Sequence, residues 1–287
     1  MRKTTIEKLD IISIISNALL VVCFVAFLML PQLIGVAVAG NDDSNLKEVG
    51  VEWVENYYGP NLQWTKEEAE GFYNRLGEID WTKRFNWGDD WAWESDFEKA
   101  AVGGYDYIYI DTVDFAYFAG HGGPTVFQFG IAHDGGDGQW ERYVHYSEAE
   151  WGDLDLEWIA IHACQILLYD YDPNVFDRWG WPVFKGLHAI FSFDSLTYDM
   201  PIWIWWPFWW ESPGVRFVNY MIKPYTIGYA WERTTIDWQP SDVWAAALAV
   251  WDPSTGYVQW NDYLPGYGSM GPDHDSPSGL AWRRWQC

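Results

Sequence analysis

Short apolar runs, separated by turns rich in glycine and acidic residues, are the feature that most constrains the fold of this chain. From Tyr105 onward they read YDYIYI, DFAYFAG, TVFQFGIA, EWIAIHAC, GLHAIFSF and AAALAVWD. Runs of this length with β-branched and aromatic side chains, spaced by helix-length segments, are typical of buried strands in a parallel or mixed sheet. The pattern therefore predicts an α/β fold.

Helix-like segments lie between and around these runs. Residues 65–78 carry acidic side chains in their first turn, which favours a helix start. Residues 215–236 are typical of a helix with a break at Pro224, and residues 165–185 can form a helix followed by a loop. Helices alternating with buried strands agree with the predicted fold.

Two of the apolar runs end in a reactive side chain. The stretch DFAYFAGHGG delivers His121 into a glycine turn, and LEWIAIHACQ delivers Cys164. Because sites in parallel α/β sheets form at the carboxyl ends of the strands, neighbouring strands would bring the two side chains to one edge. An imidazole beside a thiol can take its proton and so activate it as a nucleophile. Backbone N–H groups near Gly122 and Cys164 could then stabilise an oxyanion.

A family resemblance rests on the same two stretches. YFAGHGG, with His121 and Gly122, and IAIHACQ, with Ala163 and Cys164, resemble the strand ends of the caspase-like cysteine peptidases, which include gingipains, legumains, separases and metacaspases. The resemblance implies a three-layer αβα sandwich with a central, mostly parallel sheet. It also implies that His121 is the general base and Cys164 the nucleophile, with the N–H groups of Gly122 and Cys164 as the oxyanion hole. It covers roughly residues 105–195.

The predicted organisation has four parts. Residues 1–39 form a signal peptide or an N-terminal membrane anchor, and residues 40–104 form an N-terminal extension that is a candidate propeptide or accessory segment. Residues 105–260 form the caspase-like α/β domain, and residues 261–287 form a loop-rich C-terminal tail.

Residues 1–39 predict the location of the protein in the cell. Basic residues precede a long apolar stretch, and the small residues of AVAG (37–40) favour cleavage after Ala39. The length of the stretch leaves an uncleaved anchor open as the alternative, in which case this segment is the one membrane contact. Both readings place the remainder outside the cytoplasm, secreted or held at the outer face of the membrane.

The charge of the chain limits its partners. The chain has 17 Lys and Arg residues and 41 Asp and Glu residues, which give a net charge of −24. Such a charge argues against nucleic acid and anionic lipid surfaces as partners. Solubility accounts for such acidity, and an acidic cleft is the alternative. Asp153 and Asp155 precede the cysteine run and Asp194 follows the next one, so these three are substrate-pocket candidates. Together they would favour Arg or Lys before the cleaved bond.

Two further histidines lie in apolar runs. His162 shares a strand face with Cys164, and His188 lies in GLHAIF. Each is a candidate to support the catalytic pair, and the alternative for each is a hydrogen-bonded core histidine.

One loop is a candidate metal site. AHDGGDGQW places Asp134 and Asp137 among glycines, which suits a structural calcium ion or an ordinary surface turn. The chain has no HExxH motif and no cysteine pair with zinc-ligand spacing. A thiol peptidase requires no cofactor.

Cysteine use fits an exported protein without a disulfide framework. Cys23 lies in the apolar N-terminal stretch, which leaves Cys164 and Cys287. A single bond between these two is the structural alternative to a catalytic role for Cys164.

Two functions therefore remain open. The first is an exported cysteine endopeptidase that hydrolyses peptide or protein substrates through His121 and Cys164. The second is a catalytically inactive module of the same fold, whose Trp-rich stretch PIWIWWPFWW (201–210) binds polysaccharide, a cell-envelope component or another copy of the chain.

Overall fold

A seven-stranded sheet forms the centre of the protein in a computed structural model, which describes residues 45–134, 140–204 and 209–287. Its strands are β1 (Glu48–Trp53), β2 (Thr82–Gly88), β3 (Phe115–Ala119), β7 (Trp158–His162), β8 (Ala189–Phe193), β11 (Trp244–Val250) and β12 (Leu280–Gln286). Five neighbouring strands run parallel, in the order β8-β7-β3-β1-β2. On the other side of β8 lies β11, which pairs antiparallel with both β8 and β12. The predicted mostly parallel sheet is confirmed.

Smaller strands lie outside this sheet. A three-stranded sheet consists of β4 (His121–Gly122), β5 (Val126–Asp134) and β6 (Trp140–His145). A two-stranded antiparallel sheet consists of β9 (Ile202–Ile204) and β10 (Trp209–Glu211).

Three α-helices cover one face of the central sheet. They are α1 (Thr65–Gly77), α2 (Pro213–Met221) and α3 (Ile227–Trp238). The Ser212 hydroxyl caps α2 and the Thr226 hydroxyl caps α3, so these two helices each begin at a side chain that satisfies a first-turn N–H. The predicted helices at 65–78 and 215–236, with the break at Pro224, are confirmed. The side chains of Phe72, Phe217 and Trp231 pack this layer of helices against the strands.

A different layer covers the opposite face. It contains the β5–β6 hairpin, several 3-10 turns and a π-helical turn at Phe176–Gly180. Large aromatic side chains, among them Phe97, Phe127, Trp151 and Trp179, fill the space between this layer and the sheet. The domain therefore has the predicted three layers of an α/β sandwich.

The chain after Cys164 does not form the helix that residues 165–185 allow. Gln165 has a left-handed backbone, with φ 62°. The N–H groups of Gln165 and Leu167 bond to the carbonyls of Ser195 and Phe193, so this segment follows the end of β8. Backbone groups paired across to another strand cannot also build a helix, and the π-helical turn is the helical structure of this segment.

The sheet extends beyond the domain boundaries predicted at residues 105 and 260, which need correction. β1, α1 and β2 come from residues 40–104, and β12 comes from residues 261–287. β1 lies between β2 and β3, with Glu48 to Glu52 buried. Residues 48–88 are thus part of the α/β domain, because removing them would expose β3 and one side of the core.

The predicted signal peptide or anchor, residues 1–39, lies outside the described residues. Within the part of the chain that is described, no helix combines the length and apolar character needed to cross a bilayer.

Candidate active site

β3 and β7 are adjacent and parallel, and their pairing brings two chain turns together. Ala119 pairs with His162, and the Gly120 N–H donates to the His162 carbonyl at 3.0 Å. His121 and Cys164 therefore each follow a strand end at the same edge of the sheet. A Cβ on Gly122 would lie 2.8 Å from the Cβ of Ala163, so the histidine turn packs directly on the cysteine turn.

The ring of His121 is held by two neighbours. Its Nε2 lies 2.8 Å from the Pro60 carbonyl oxygen, and its ring centroid lies 4.5 Å from that of Tyr57. The Tyr57 hydroxyl accepts the His121 backbone N–H at 2.9 Å and donates to the Gln128 carbonyl at 3.0 Å. Because a carbonyl only accepts, Nε2 carries the ring proton, and Nδ1 is the basic nitrogen of the neutral imidazole.

Cys164 is a half-buried free thiol. Its Sγ lies 3.5 Å from the Thr197 N–H and 3.7 Å from the Thr197 carbonyl oxygen. Burial raises the pKa of the Cys164 thiol, although the Thr197 N–H lowers it in part. The resting thiol is therefore protonated at neutral pH, so a base would have to remove the proton for the sulfur to act as a nucleophile.

Among the residues that the structure describes, none accepts a hydrogen bond from the Cys164 backbone N–H. The alternative of a Cys164–Cys287 disulfide is wrong, because both thiols are free. Cys287 follows β12, which is separated from β7 by β11 and β8.

His162 lies beside Cys164 in a buried polar network. Its Nδ1 is 2.7 Å from Glu68 Oε2, and its Nε2 is 3.2 Å from the Thr197 hydroxyl oxygen. Thr197 therefore contacts both the histidine and the Cys164 sulfur. The Tyr117 hydroxyl donates to the other Glu68 oxygen. Burial raises the pKa of Glu68, while the charge of His162 opposes that rise.

His188 lies at the opposite edge of the sheet, so its predicted support of the catalytic pair is wrong. It precedes β8, whereas Cys164 follows β7, and the two strands run parallel. Its Nδ1 is 2.7 Å from Asp262 Oδ2, and its Nε2 is 2.9 Å from Asp273 Oδ1. This fully buried histidine instead holds the C-terminal loop to the sheet.

The predicted substrate pocket of three carboxylates is also wrong. Asp153 and Asp155 precede β7 and so lie toward the edge opposite Cys164. Asp194 does follow β8 at the carboxyl edge, but it is buried. It accepts the Tyr169 N–H at 2.7 Å and pairs with Arg284 at 2.5 Å. Its charge is therefore already compensated within the protein.

Asp153 instead adds charge to a buried acidic cluster with Asp106 and Asp111. Burial raises the pKa of Asp106 to about 7, and the charges of Asp153 and Glu150 add to that rise. The folded protein thus keeps a proton that the unfolded chain releases near pH ~4. Unfolding releases this proton at intermediate pH, so the group makes the free energy of unfolding fall as pH rises from about 4 to 7.

Asp106→Asn is expected to flatten this pH dependence. The amide keeps an oxygen for the Tyr107 N–H, which Asp106 accepts at 2.8 Å, but it cannot titrate. The free energy of unfolding should then fall less steeply as pH rises, by at most about 1.4 kcal/mol per pH unit. Urea unfolding of the wild type and the variant at a series of pH values measures this slope. An unchanged slope would contradict the assignment.

The predicted calcium loop cannot be placed. Asp137 and the side chain of Asp134 lie outside the described residues.

The Trp-rich stretch forms the exposed β9–β10 pair. Trp203, Trp209 and Trp210 expose 62%, 51% and 44% of their surfaces, and residues 205–208 lie outside the described part. The Trp210 ring packs 5.3 Å from that of Trp64, which lies four residues after Pro60. The aromatic surface therefore contacts Trp64, which is close along the chain to the Pro60 carbonyl that holds His121.

Sequence reasoning missed the residues that hold the pair. Tyr57, Pro60, Glu68 and Thr197 come from loops and a helix far from His121 and Cys164 in the chain. None belongs to a short motif, so no local signal marks them.

These features define an α/β protein with a histidine turn and a cysteine turn in contact at the carboxyl edge of a mostly parallel sheet. The chain belongs to the family described as Domain of unknown function (DUF6345), which matches residues 51–286. No curated protein matches its sequence.

Among solved structures, the chain is similar to the Arg-specific cysteine proteinase gingipain R, with 16% identity and a TM-score of 0.35. The similarity covers 68% of this chain and 39% of that proteinase, so this chain spans about two fifths of its length.

Proposed function

We propose that this protein is a cysteine endopeptidase in which Cys164 is the nucleophile and His121 the general base. The in-register parallel pairing of β3 with β7 carries the proposal, because it places the two turns in contact at one edge. The substrate is a peptide or protein, and residues 1–39 would direct the enzyme out of the cytoplasm.

The first step transfers the Cys164 proton to Nδ1 of His121 while Sγ attacks the carbonyl carbon of the peptide. Proton transfer accompanies attack, since burial keeps the resting thiol protonated. The Pro60 carbonyl accepts a hydrogen bond from Nε2–H and so stabilises the imidazolium that forms. The N–H groups of Gly122 and Cys164 would stabilise the oxyanion.

The second half returns the enzyme to its starting state. His121 gives the proton to the leaving amine as the C–N bond breaks, which leaves an acyl group on Sγ. A water molecule, deprotonated by His121, then attacks this thioester. The acid product leaves, and the proton returns to the Cys164 sulfur.

Peptidyl acyloxymethyl ketones with varied side chains test this assignment, because they alkylate a cysteine that attacks a bound carbonyl. Mass spectrometry should show modification of Cys164, and His121→Ala should slow it by about 10²-fold or more. Cys287→Ser serves as the control and should leave the modified site and its rate unchanged. Equal rates in the wild type and His121→Ala would contradict the proposal.

A binding function is the second candidate, favoured by the exposed tryptophans of β9 and β10. In this case Cys164 stays unmodified by every ketone, and the protein binds cell-envelope polysaccharide. Trp203→Ala would then weaken retention on insoluble polysaccharide. Modification of Cys164 with retention unaffected by Trp203→Ala would count against this candidate.

A further inference from the structure

Three buried carboxylates meet at the edge of the sheet opposite Cys164. Glu48 is the first residue of β1, Asp114 immediately precedes β3, and Asp155 lies shortly before β7. These strands are consecutive neighbours in the sheet. One oxygen of each residue lies within 4.8 Å of the other two, and all three residues are buried.

The carboxylates of this cluster are held close together. Arg84 Nη1 lies 2.9 Å from Glu48 Oε1 and supplies one positive charge. Carboxylates this close repel one another when they are ionised, and a divalent cation between them would compensate for that repulsion.

The surroundings of one Asp114 carboxylate oxygen point to a ligand. Asp114 is fully buried, and its Oδ2 accepts the Glu48 N–H at 2.5 Å. Its Oδ1 has no hydrogen-bond partner among the described residues. A buried carboxylate oxygen without a donor is rare in folded proteins, and it points to a ligand at this position.

We propose that Glu48, Asp114 and Asp155 bind one calcium ion. An all-oxygen donor set favours a hard cation over zinc or copper. Oxygens up to 4.8 Å apart can lie on either side of one ion at calcium–oxygen distances of about 2.3–2.6 Å. Magnesium requires near-ideal octahedral geometry at about 2.0–2.1 Å, whereas calcium accepts a more flexible geometry, which suits carboxylates whose positions are set by three strands.

The ion would tie together the starts of three adjacent strands, β1, β3 and β7. It would thus stabilise the folded chain without touching the site at the other edge. The proposal is independent of the peptidase function. It is also distinct from the loop that contains Asp134 and Asp137.

Thermal unfolding of the whole protein, stripped with EDTA and then measured with and without millimolar calcium, tests the proposal. Calcium should raise the Tm of the wild type by about 5 °C, the size expected for an ion well above its Kd. Asp114→Asn should lose most of this shift. Asp155→Asn should do the same, and it decides the matter if Asp114→Asn does not fold.

Two controls locate the ion. Asp106→Asn changes a different buried acid, and it should keep the full calcium shift. Asp137→Asn changes the loop and should also keep it. A shift that survives in Asp155→Asn, or disappears in Asp137→Asn, would overturn the site. An equal shift with magnesium would overturn the choice of calcium.

Discussion

Replacing Cys164 with alanine is expected to abolish peptide hydrolysis, and His121→Ala is expected to lower kcat by about 10³- to 10⁵-fold. In the proposed mechanism the sulfur forms the covalent bond, so no other group replaces it. The imidazole would have to remove a proton from a thiol whose pKa is raised by burial, so its loss would not be offset by a preformed thiolate.

Hydrolysis of a fluorogenic peptide, selected by the ketone panel, measures both effects. His145→Ala is a matched control, because His145 lies in β6 and its ring contacts Ser147 and Tyr146. It should retain wild-type kcat. The double variant Cys164→Ala/His121→Ala should be no slower than Cys164→Ala alone, since the two residues act in one step. A wild-type kcat in His121→Ala would rule out His121 as the general base.

Replacing His188 with alanine is expected to reduce the free energy of unfolding by about 3–5 kcal/mol. The histidine is fully buried between Asp262 and Asp273, and its loss leaves the buried Asp262 carboxylate without its ionic partner. Asp262 also accepts the Tyr257 hydroxyl and the Gly271 N–H, so the effect should spread to the C-terminal loop.

The same variant has a pH signature. Burial lowers the pKa of His188, but its bonds to Asp262 and Asp273 outweigh burial and leave the pKa raised. Its stabilising effect is therefore complete below the unfolded-state pKa of about 6.5 and declines as pH rises through the folded-state value. Urea unfolding of the wild type and His188→Ala at acidic and alkaline pH measures this change. A loss below about 1 kcal/mol at acidic pH would contradict the buried ion pair.

The strands that deliver His121 and Cys164 could be predicted because they are continuously apolar. β3, β7 and β8 are buried on both faces, which is the pattern that parallel sheets require. β1 escaped prediction because EVGVEW carries Glu48 and Glu52 into a buried strand, and charged residues are rarely placed there. β2 escaped because it is a polar edge strand.

The positions of His188, Asp153 and Asp155 were misjudged for a geometric reason. Each lies close to an apolar run, but each precedes its strand, whereas His121 and Cys164 follow theirs. Residues before and after a parallel strand lie at opposite edges of the sheet, about 3.3 Å apart for every residue between them. In GLHAIF the histidine precedes the strand, so the sequence itself indicates that His188 lies at the edge opposite Cys164.

The polar contacts around the pair could not be read from the sequence. Pro60 contributes a backbone carbonyl to His121, and Thr197 contributes backbone groups to Cys164. Almost every residue type carries the same backbone groups, so the sequence does not show which residues supply these contacts. Glu68 reads as an acidic residue at a helix start, and its bond to His162 depends on how α1 packs on the sheet.

A crystal structure of the protein alkylated by its most reactive peptidyl ketone tests the central claim most directly. The account predicts an adduct on Cys164 Sγ with His121 Nδ1 within about 3–4 Å of the reacting atoms. The ketone oxygen that the adduct retains should face the N–H groups of Gly122 and Cys164. An imidazole on the order of 7 Å or more from the adduct, beyond the reach of one bridging water, would contradict the account.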